Sequence, residues 1–189
     1  SLKNDVWSSP DGIRWERHLE HAPWEPRAYH AAFVFKDRLW LVGGGNYTPG
    51  FFALNDVWNT SDGIHWERVS ESAPWSPRIW FSGGVYRNVM WVLGGWVAPY
   101  QNLGDVWYTA DGLHWAQFDM SDSWLPRHEH STYVFSDRLW VAGGLANGLS
   151  QEVWSLNLPK NWQPSCAATS KAEYFLWLER ARDNLKRMF

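Results

Sequence analysis

The stretch Arg27 to Gly44, RAYHAAFVFKDRLWLVGG, is the unit on which the chain is built, because the same plan returns at Arg78 to Gly95 and at Arg127 to Gly144. Each copy has a strand of alternating character, a tight polar turn, an apolar strand centred on a tryptophan, and a closing Gly-Gly pair. Two glycines tolerate the positive φ that ends such a hairpin. Recurrence of one hairpin predicts a repeat fold.

A second unit recurs between these hairpins, with Val-Trp near its start and a later Trp at its end. Its copies are NDVWSSPDGIRW from Asn4, NDVWNTSDGIHW from Asn55, GDVWYTADGLHW from Gly104 and QEVWSLNLPKNW from Gln151. The Val and the closing Trp are separated by the same distance in every copy, as in 6 to 15 and 153 to 162. Each copy therefore predicts a hairpin, with Asp-Gly as the turn signal in the first three copies and Pro159-Lys160 in its place in the fourth.

The two hairpins alternate, so that a full repeat contains about four strands, which is typical of a propeller blade. The Val of the second unit recurs after 51, 49 and 47 residues, counted from Val6, Val57, Val106 and Val153. The succession PR-x-x-H, a strand, aromatic-x-x-Gly-Gly, Asp-Val-Trp and a later Trp resembles the kelch motif over roughly residues 4 to 162. Phe81 replaces the His and Glu152 replaces the Asp in single copies.

The resemblance implies an all-β propeller of kelch-like, four-stranded antiparallel blades. The complete blades are expected at roughly residues 26 to 69, 77 to 118 and 126 to 164, after half a blade from Asn4 to Arg17. Residues 1–164 would then form the blades and 165–170 a linker. A capping-box pattern at Ser170 to Glu173 and an apolar stripe at helical spacing predict a C-terminal α-helix over 171–189.

An incomplete set of blades leaves open how the propeller closes, because propellers normally contain about four or more blades. Uncovered sheet faces and edges are exposed to unwanted pairing. One expectation is a chain that is longer at its N-terminus, since the sequence opens at Ser1 in the middle of a blade. The other is a homo-oligomer, most simply a two-fold dimer that completes the propeller.

Composition argues against several classes of partner. The net charge of −3 and the pI near 6.1 provide no basic field for nucleic acid or an anionic membrane. No apolar run has the length of a membrane span. The single Cys166 rules out an intramolecular disulfide and a cysteine zinc site. No cofactor is predicted, and the cellular compartment stays open.

Length variation within the repeat is confined to the segment between Gly-Gly and the second unit. These segments are Gly45 to Leu54, Trp96 to Leu103 and Leu145 to Ser150. Uneven loops on one face of a repeat array mark its binding surface. The candidate ligand-binding residues there are Tyr47, Phe51, Phe52, Trp96, Tyr100 and Gln101. Such aromatics stack on sugars or anchor in protein pockets, or alternatively fold back onto the blades.

Residues that begin the inner strands are the second group of candidates. Arg27, Arg78 and Arg127 would either clamp an anion at the channel mouth or fasten blade to blade by pairing with the repeated acidic residues Asp5, Asp56, Asp105 and Glu152. Positions that differ between copies carry more functional information. They are Tyr29, Trp80 and Glu129 at one position, and His30, Phe81 and His130 at the next. The segment His128 to His130 is the most polar.

Two functions from different classes follow. The first is a non-catalytic module that binds a protein or glycan through the loops, with no catalytic residues. The second is a small-molecule enzyme resembling the sialic acid mutarotase among kelch-like propellers, with Glu129 and Arg127 at the channel mouth. A copper-radical oxidase is disfavoured because Cys166 lies outside the blades. His128 and His130 share a strand face, but no third ligand is indicated, so no metal site is predicted.

Overall fold

A computed structural model describes residues 1–120 and 124–164, together with the backbone of 177–180. Within these ranges every regular element is a β-strand and every sheet is antiparallel. The expectation of an all-β protein is therefore confirmed for the described residues. The chain divides into two compact units, Ser1–Ile79 and Trp80–Phe189.

The first unit contains two sheets. The first sheet pairs β1 (Val6–Ser8) with β2 (Glu16–Leu19). The second sheet has the order β3-β4-β5-β6, formed by Ala31–Phe35, Arg38–Asn46, Phe52–Thr60 and Glu67–Ser70. Strand order follows chain order because each connection is a hairpin, as the alternating hairpins predict.

The second unit also contains two sheets. The third sheet is formed by β7 (Ser82–Tyr86), β8 (Val89–Val97), β9 (Gln101–Thr109) and β10 (Trp115–Gln117). The fourth sheet is formed by β11 (Ser131–Phe135), β12 (Arg138–Ala142), β13 (Val153–Asn157) and β14 (Trp177–Arg180). In both sheets the order again follows the chain.

The C-terminal segment corrects two expectations. Trp177–Arg180, predicted to be helical, forms β14 and pairs with β13, while the rest of the predicted linker and helix lies outside the described residues. The second strand of the hairpin predicted around Pro159-Lys160 is not formed in the residues up to 164; instead the Trp162 N–H closes a turn on the Pro159 carbonyl. Pairing with the open edge of β13 outweighs the helical spacing of the sequence, because tertiary context overrides local propensity.

The Gly-Gly pairs bend strands rather than ending them in the second and third sheets. Gly43 and Gly44 have φ of 55° and 88°, so the predicted positive φ is confirmed. However, β4 and β8 continue through the pair by means of a register shift, and only β12 stops before it. The first two predicted loops are consequently the ends of long hairpins, with short turns such as the one between Val97 and Gln101, whereas Leu145 to Ser150 lies between β12 and β13.

Tryptophans and other aromatics form the cores. In the second unit, Trp91 is fully buried, with its ring centroid 5.3 Å from Phe118 and 5.8 Å from Trp162. In the first unit, Trp24 meets Trp66 edge-on at 4.4 Å. Repeated tryptophans therefore contribute to the core of both units, because each buried ring removes a large apolar area from water.

The Asp-Gly turns are closed by their own aspartates. In the third sheet, Asp111 Oδ1 accepts the N–H groups of Leu113 and His114 at 2.9 and 2.8 Å, and Thr109 Oγ1 donates to it at 3.1 Å. His114 Nδ1 lies 2.8 Å from the second carboxylate oxygen. The hydrogen bonds with His114 and Leu113 outweigh partial burial and lower the pKa of Asp111 to about 2. The same contacts lower the pKa of Asp62 in the second sheet.

We expect this turn to make stability dependent on acid pH. A carboxylate with a depressed folded pKa stabilises the folded state above its unfolded pKa of about 4, and that contribution is lost as the pH falls through the folded value. For Asp111 the folded pKa is about 2. Asp111→Asn should therefore be less stable than the native protein at pH 6, with the difference shrinking towards pH 2. Urea midpoints across this range measure it, with Asp119→Asn, in an exposed residue outside the turn, as the control. An equal loss at every pH would contradict the assignment.

Candidate ligand-binding site

Three equivalent residues, just ahead of β3, β7 and β11, share a left-handed backbone. Tyr29, Trp80 and Glu129 have φ of 58°, 55° and 55°. A residue with a Cβ loses roughly 1–2 kcal/mol in this conformation, and residues of this kind cluster at functional sites. The chain keeps one costly backbone shape here while it varies the side chain, so the side chains at this position are candidates for recognition.

An aromatic strip in the second unit is formed by Trp80, Trp96, Tyr100 and His128. The ring of Trp80 stacks on the His128 imidazole, with centroids 5.2 Å apart and planes 24° apart. Trp80 lies 5.6 Å from Trp96, and Trp96 meets Tyr100 edge-on at 6.3 Å. Tyr100 is 87% exposed, whereas Trp96 is 8% exposed. The strip therefore exposes the Tyr100 ring to solvent at one end, while the Trp96 ring next to it is held in place by packing.

Trp96 corrects its predicted place as an exposed loop residue. It lies on β8, opposite Asn102 of β9, and its ring is buried between those of its neighbours in the strip. Its ring supports that of the exposed Tyr100 at the tip of the hairpin. Tyr100 also has a left-handed backbone, with a φ of 59°. Gln101 follows it as an exposed residue at the start of β9.

Asn102 fixes the ring of His128. Its amide donates to the carbonyl oxygens of Leu145 and Ala146 at 3.1 and 3.3 Å, which leaves its Oδ1 to accept from His128 Nδ1 at 2.7 Å. This arrangement places the proton of the neutral imidazole on Nδ1 and makes Nε2 an acceptor. Burial lowers the pKa of His128, with a partial offset from the Glu129 carboxylate. The ring is therefore neutral at pH 7.

Glu129 supplies a second acceptor beside the strip. Its exposed carboxylate has Oε2 4.0 Å from His128 Nε2, and its backbone N–H donates to the Trp80 carbonyl at 2.9 Å. His130, by contrast, lies in the interior, 6% exposed, and its pKa is lowered to about 4 by burial and by the positive charge of Arg127. The structure thus brings His128 and Glu129 to the strip and turns His130 into a neutral packing residue.

The candidate arginines Arg27 and Arg127 are paired with acidic residues of their own sheets. Arg27 forms a bidentate pair with Asp56 at 2.5 and 2.8 Å, and Arg127 donates to Glu152 at 2.7 Å. Both guanidinium groups are almost completely buried. The acidic partners are those that the repeat predicted, and each side-chain pair stays within one sheet and its flanking residues. The backbone of Arg127, however, joins the third sheet: its N–H donates to the Leu103 carbonyl at 3.1 Å, and its carbonyl accepts from the Gly95 N–H at 2.9 Å. The expected contact between successive sheets is therefore made by the main chain of Arg127, while its side chain is anchored in its own sheet.

Arg78 is also fully buried. Its Nε donates to the Ser76 carbonyl at 3.0 Å, and its guanidinium lies over the Trp75 ring at 5.6 Å. Such an environment suits a structural cation, since a buried guanidinium requires its donors to be satisfied. The environments of the three arginines consequently favour a structural role over the capture of an anion.

His30 and Phe81 share one repeat position but differ in burial: His30 is exposed and Phe81 is buried.

The remaining candidates of the first unit are half-exposed. Tyr29, Tyr47 and Phe51 are 42%, 39% and 37% exposed, and Phe52 is half-buried at the start of β5. Asn46 closes the intervening turn by donating to the carbonyl oxygens of Pro49 and Gly50. The rings of Tyr47, Phe51 and Phe52 belong to the end of the β4–β5 hairpin, whereas Tyr29 lies just ahead of β3.

Asn102 is a functional candidate that the sequence analysis missed. In the register of the two long hairpins it occupies the place of Ala53, since Gly95 pairs with Leu103 as Gly44 pairs with Leu54. An amide in place of a methyl group at one equivalent position was therefore a usable signal. Its hydrogen-bond partners lie 26 to 44 residues away in sequence.

Metal binding and membrane insertion find no support in the part of the chain that the structure describes. In that part no group of three or more His, Cys, Asp and Glu side chains is arranged to hold a metal ion. Nor does it contain a helix that is long and apolar enough to cross a membrane.

Comparison of the sequence with protein-family models and with curated proteins gives no match.

Proposed function

We propose that this protein is a non-catalytic binding module built from kelch-like propeller blades. Successive four-stranded antiparallel sheets with Arg, Gly-Gly and Trp at equivalent positions support the blades. The observation that carries the binding role is the aromatic strip, because Tyr100 is 87% exposed on a hairpin tip that Trp96 supports. Exposed aromatics on a rigid support are the usual anchors of a recognition surface.

The ligand is a protein or glycan, and the polar groups beside the strip favour a neutral glycan. His128 Nε2 and the Glu129 carboxylate are both acceptors, 4.0 Å apart, which suits the hydroxyl donors of a sugar whose apolar face lies on Tyr100. The guanidinium of Arg127 is taken up by Glu152 and by the Gly143 carbonyl, which argues against an anionic ligand at this place.

A mutarotase-like enzyme is the second candidate, because an exposed carboxylate next to a neutral imidazole resembles a general acid–base pair. The buried Arg127 argues against it, since the arginine that would hold a substrate is already engaged. Glu129→Gln separates the two functions. The binding module shows no turnover of free sugars in the native protein, whereas an enzyme shows turnover that this variant removes.

Tyr100→Ala should weaken binding of a glycan by at least about tenfold, since loss of an aromatic anchor costs about 2 kcal/mol or more. The native protein is first screened on a glycan array, and the best neutral glycan is then titrated calorimetrically. Stability should change by no more than about half a kcal/mol, because the side chain is 87% exposed.

The matched control is Leu113→Ala, in a residue 49% exposed on an Asp-Gly turn, which should leave binding intact. Trp96 is left unchanged because it is buried and its truncation would also remove packing. Unchanged affinity in Tyr100→Ala would exclude the strip as the recognition surface. Capture of a protein ligand in place of a glycan, with the same sensitivity to Tyr100, would support the binding module and reject the glycan preference.

A further inference from the structure

The third and fourth sheets pack face to face, and this contact within one chain is the model for a contact between two copies. Tyr86 and Trp91 of the third sheet are 3% and 0% exposed. The fourth sheet and its turns cover them: Trp162, in the turn after β13, lies 5.8 Å from Trp91, and the Tyr86 hydroxyl donates to the carbonyl of Asp137, between β11 and β12, at 2.7 Å. An aromatic face on one sheet is therefore buried by the tryptophan side of the next.

The same aromatic face is exposed on the fourth sheet. Phe135 and Trp140 are the equivalents of Tyr86 and Trp91, since the indole N–H of each tryptophan donates to the carbonyl of its partner at 2.9 Å. Phe135 is nevertheless 66% exposed, and its neighbour Tyr133 is 46% exposed. Two adjacent aromatic side chains at this exposure form an apolar surface of the kind that marks an interaction site.

The first sheet presents the complementary side. Trp7 and Trp15 occupy the repeat positions of Trp154 and Trp162. Trp154 of the fourth sheet and Trp162 in the turn after it are 4% and 7% exposed because they pack towards the third sheet, whereas Trp7 and Trp15 are 46% and 60% exposed. The first sheet therefore displays the tryptophan side of this contact without an aromatic face against it.

We infer that copies of this protein associate head to tail, with the first sheet of one copy packed on the exposed face of the fourth sheet of another. Trp15 then lies against Trp140 of the second copy, as Trp162 lies against Trp91 within one chain. The occupant is a second copy because the two exposed surfaces are the two halves of one packing arrangement that the chain already forms internally. Such a contact is heterologous, joining different surfaces of identical chains.

The first measurement is sedimentation velocity of the full chain across the micromolar range. The native protein should show a mass that rises with concentration. Phe135→Arg and Trp15→Arg should each weaken self-association by at least about tenfold, because each places a charge in an apolar contact. Leu149→Arg, in a residue 93% exposed outside both surfaces, is the control and should associate normally. Far-ultraviolet circular dichroism verifies that all variants remain folded, as their exposed positions require.

Mixing the two impaired variants provides the decisive result. Phe135→Arg keeps an intact first sheet, and Trp15→Arg keeps an intact fourth sheet, so their mixture regains one native junction and should associate more tightly than either variant alone. Contact between two identical surfaces would give no such recovery, and its absence would overturn the head-to-tail arrangement. A native protein that is monomeric at every concentration, or whose association is indifferent to Phe135→Arg, would overturn the inference as a whole.

Discussion

Arg27→Ala should lower the free energy of unfolding of the first unit by about 3–5 kcal/mol, the loss expected when one partner of a buried ion pair is removed. The guanidinium is almost fully buried against Asp56, which is itself 8% exposed. Alanine would leave that carboxylate with the Trp58 indole N–H at 2.8 Å but without its cation. Because whole domains are stable by only about 5–15 kcal/mol, urea unfolding should begin at a markedly lower concentration.

Two controls make this result specific. Arg14→Ala removes a guanidinium whose side chain is 90% exposed and 3.6 Å from Asp11, and should cost no more than about 1 kcal/mol. Replacing both partners, as Arg27→Met with Asp56→Leu, should recover much of the stability, because an apolar pair avoids the uncompensated charge. A loss below about 1 kcal/mol in Arg27→Ala would reject the fastening role.

The sheets were predictable because their signals are local. Alternation in RAYHAAFVF and the Lys36-Asp37 turn determine β3 and β4 within about twenty residues of sequence. The turn residues have φ of 50° and 56°, as a tight hairpin turn between strands requires. The pairing of Arg27 with Asp56 was predictable from the repeat, because an arginine and an acidic residue recur at the same two positions in successive copies.

The C-terminal segment and the candidate site depended on contacts that no local pattern records. The residues WLER at Trp177–Arg180 match a helical stripe, yet the free edge of β13 makes them a strand. The aromatic strip brings Trp96 of β8 together with Trp80 and His128, which precede β7 and β11, and the hydrogen bond of His128 depends on Asn102. Sequence reasoning selected the varying positions as places of interest, but packing decides which of their side chains face solvent.

Gly144→Ala should destabilise the second unit by about 2–5 kcal/mol, from a left-handed backbone cost of about 1–2 kcal/mol together with overpacking of about 1–3 kcal/mol. Gly144 has a φ of 94°, and an added Cβ would lie 2.7 Å from the His128 carbonyl oxygen and 2.9 Å from the His130 Cβ. Those atoms belong to the backbone that positions the strip, so glycan binding should fall together with the urea midpoint.

Gly148→Ala is the matched control for that prediction. Gly148 has a φ of 123°, but an added Cβ there would meet nothing within 4 Å. This variant should therefore lose only the backbone part, about 1–2 kcal/mol, and should retain ligand binding. The difference between the two variants isolates the close approach of Gly144 to the His128 backbone, which a glycine permits and a methyl group prevents. Equal losses in the two variants would mean that backbone conformation alone demands glycine at Gly144, and that the close contact with His128 does not constrain the site.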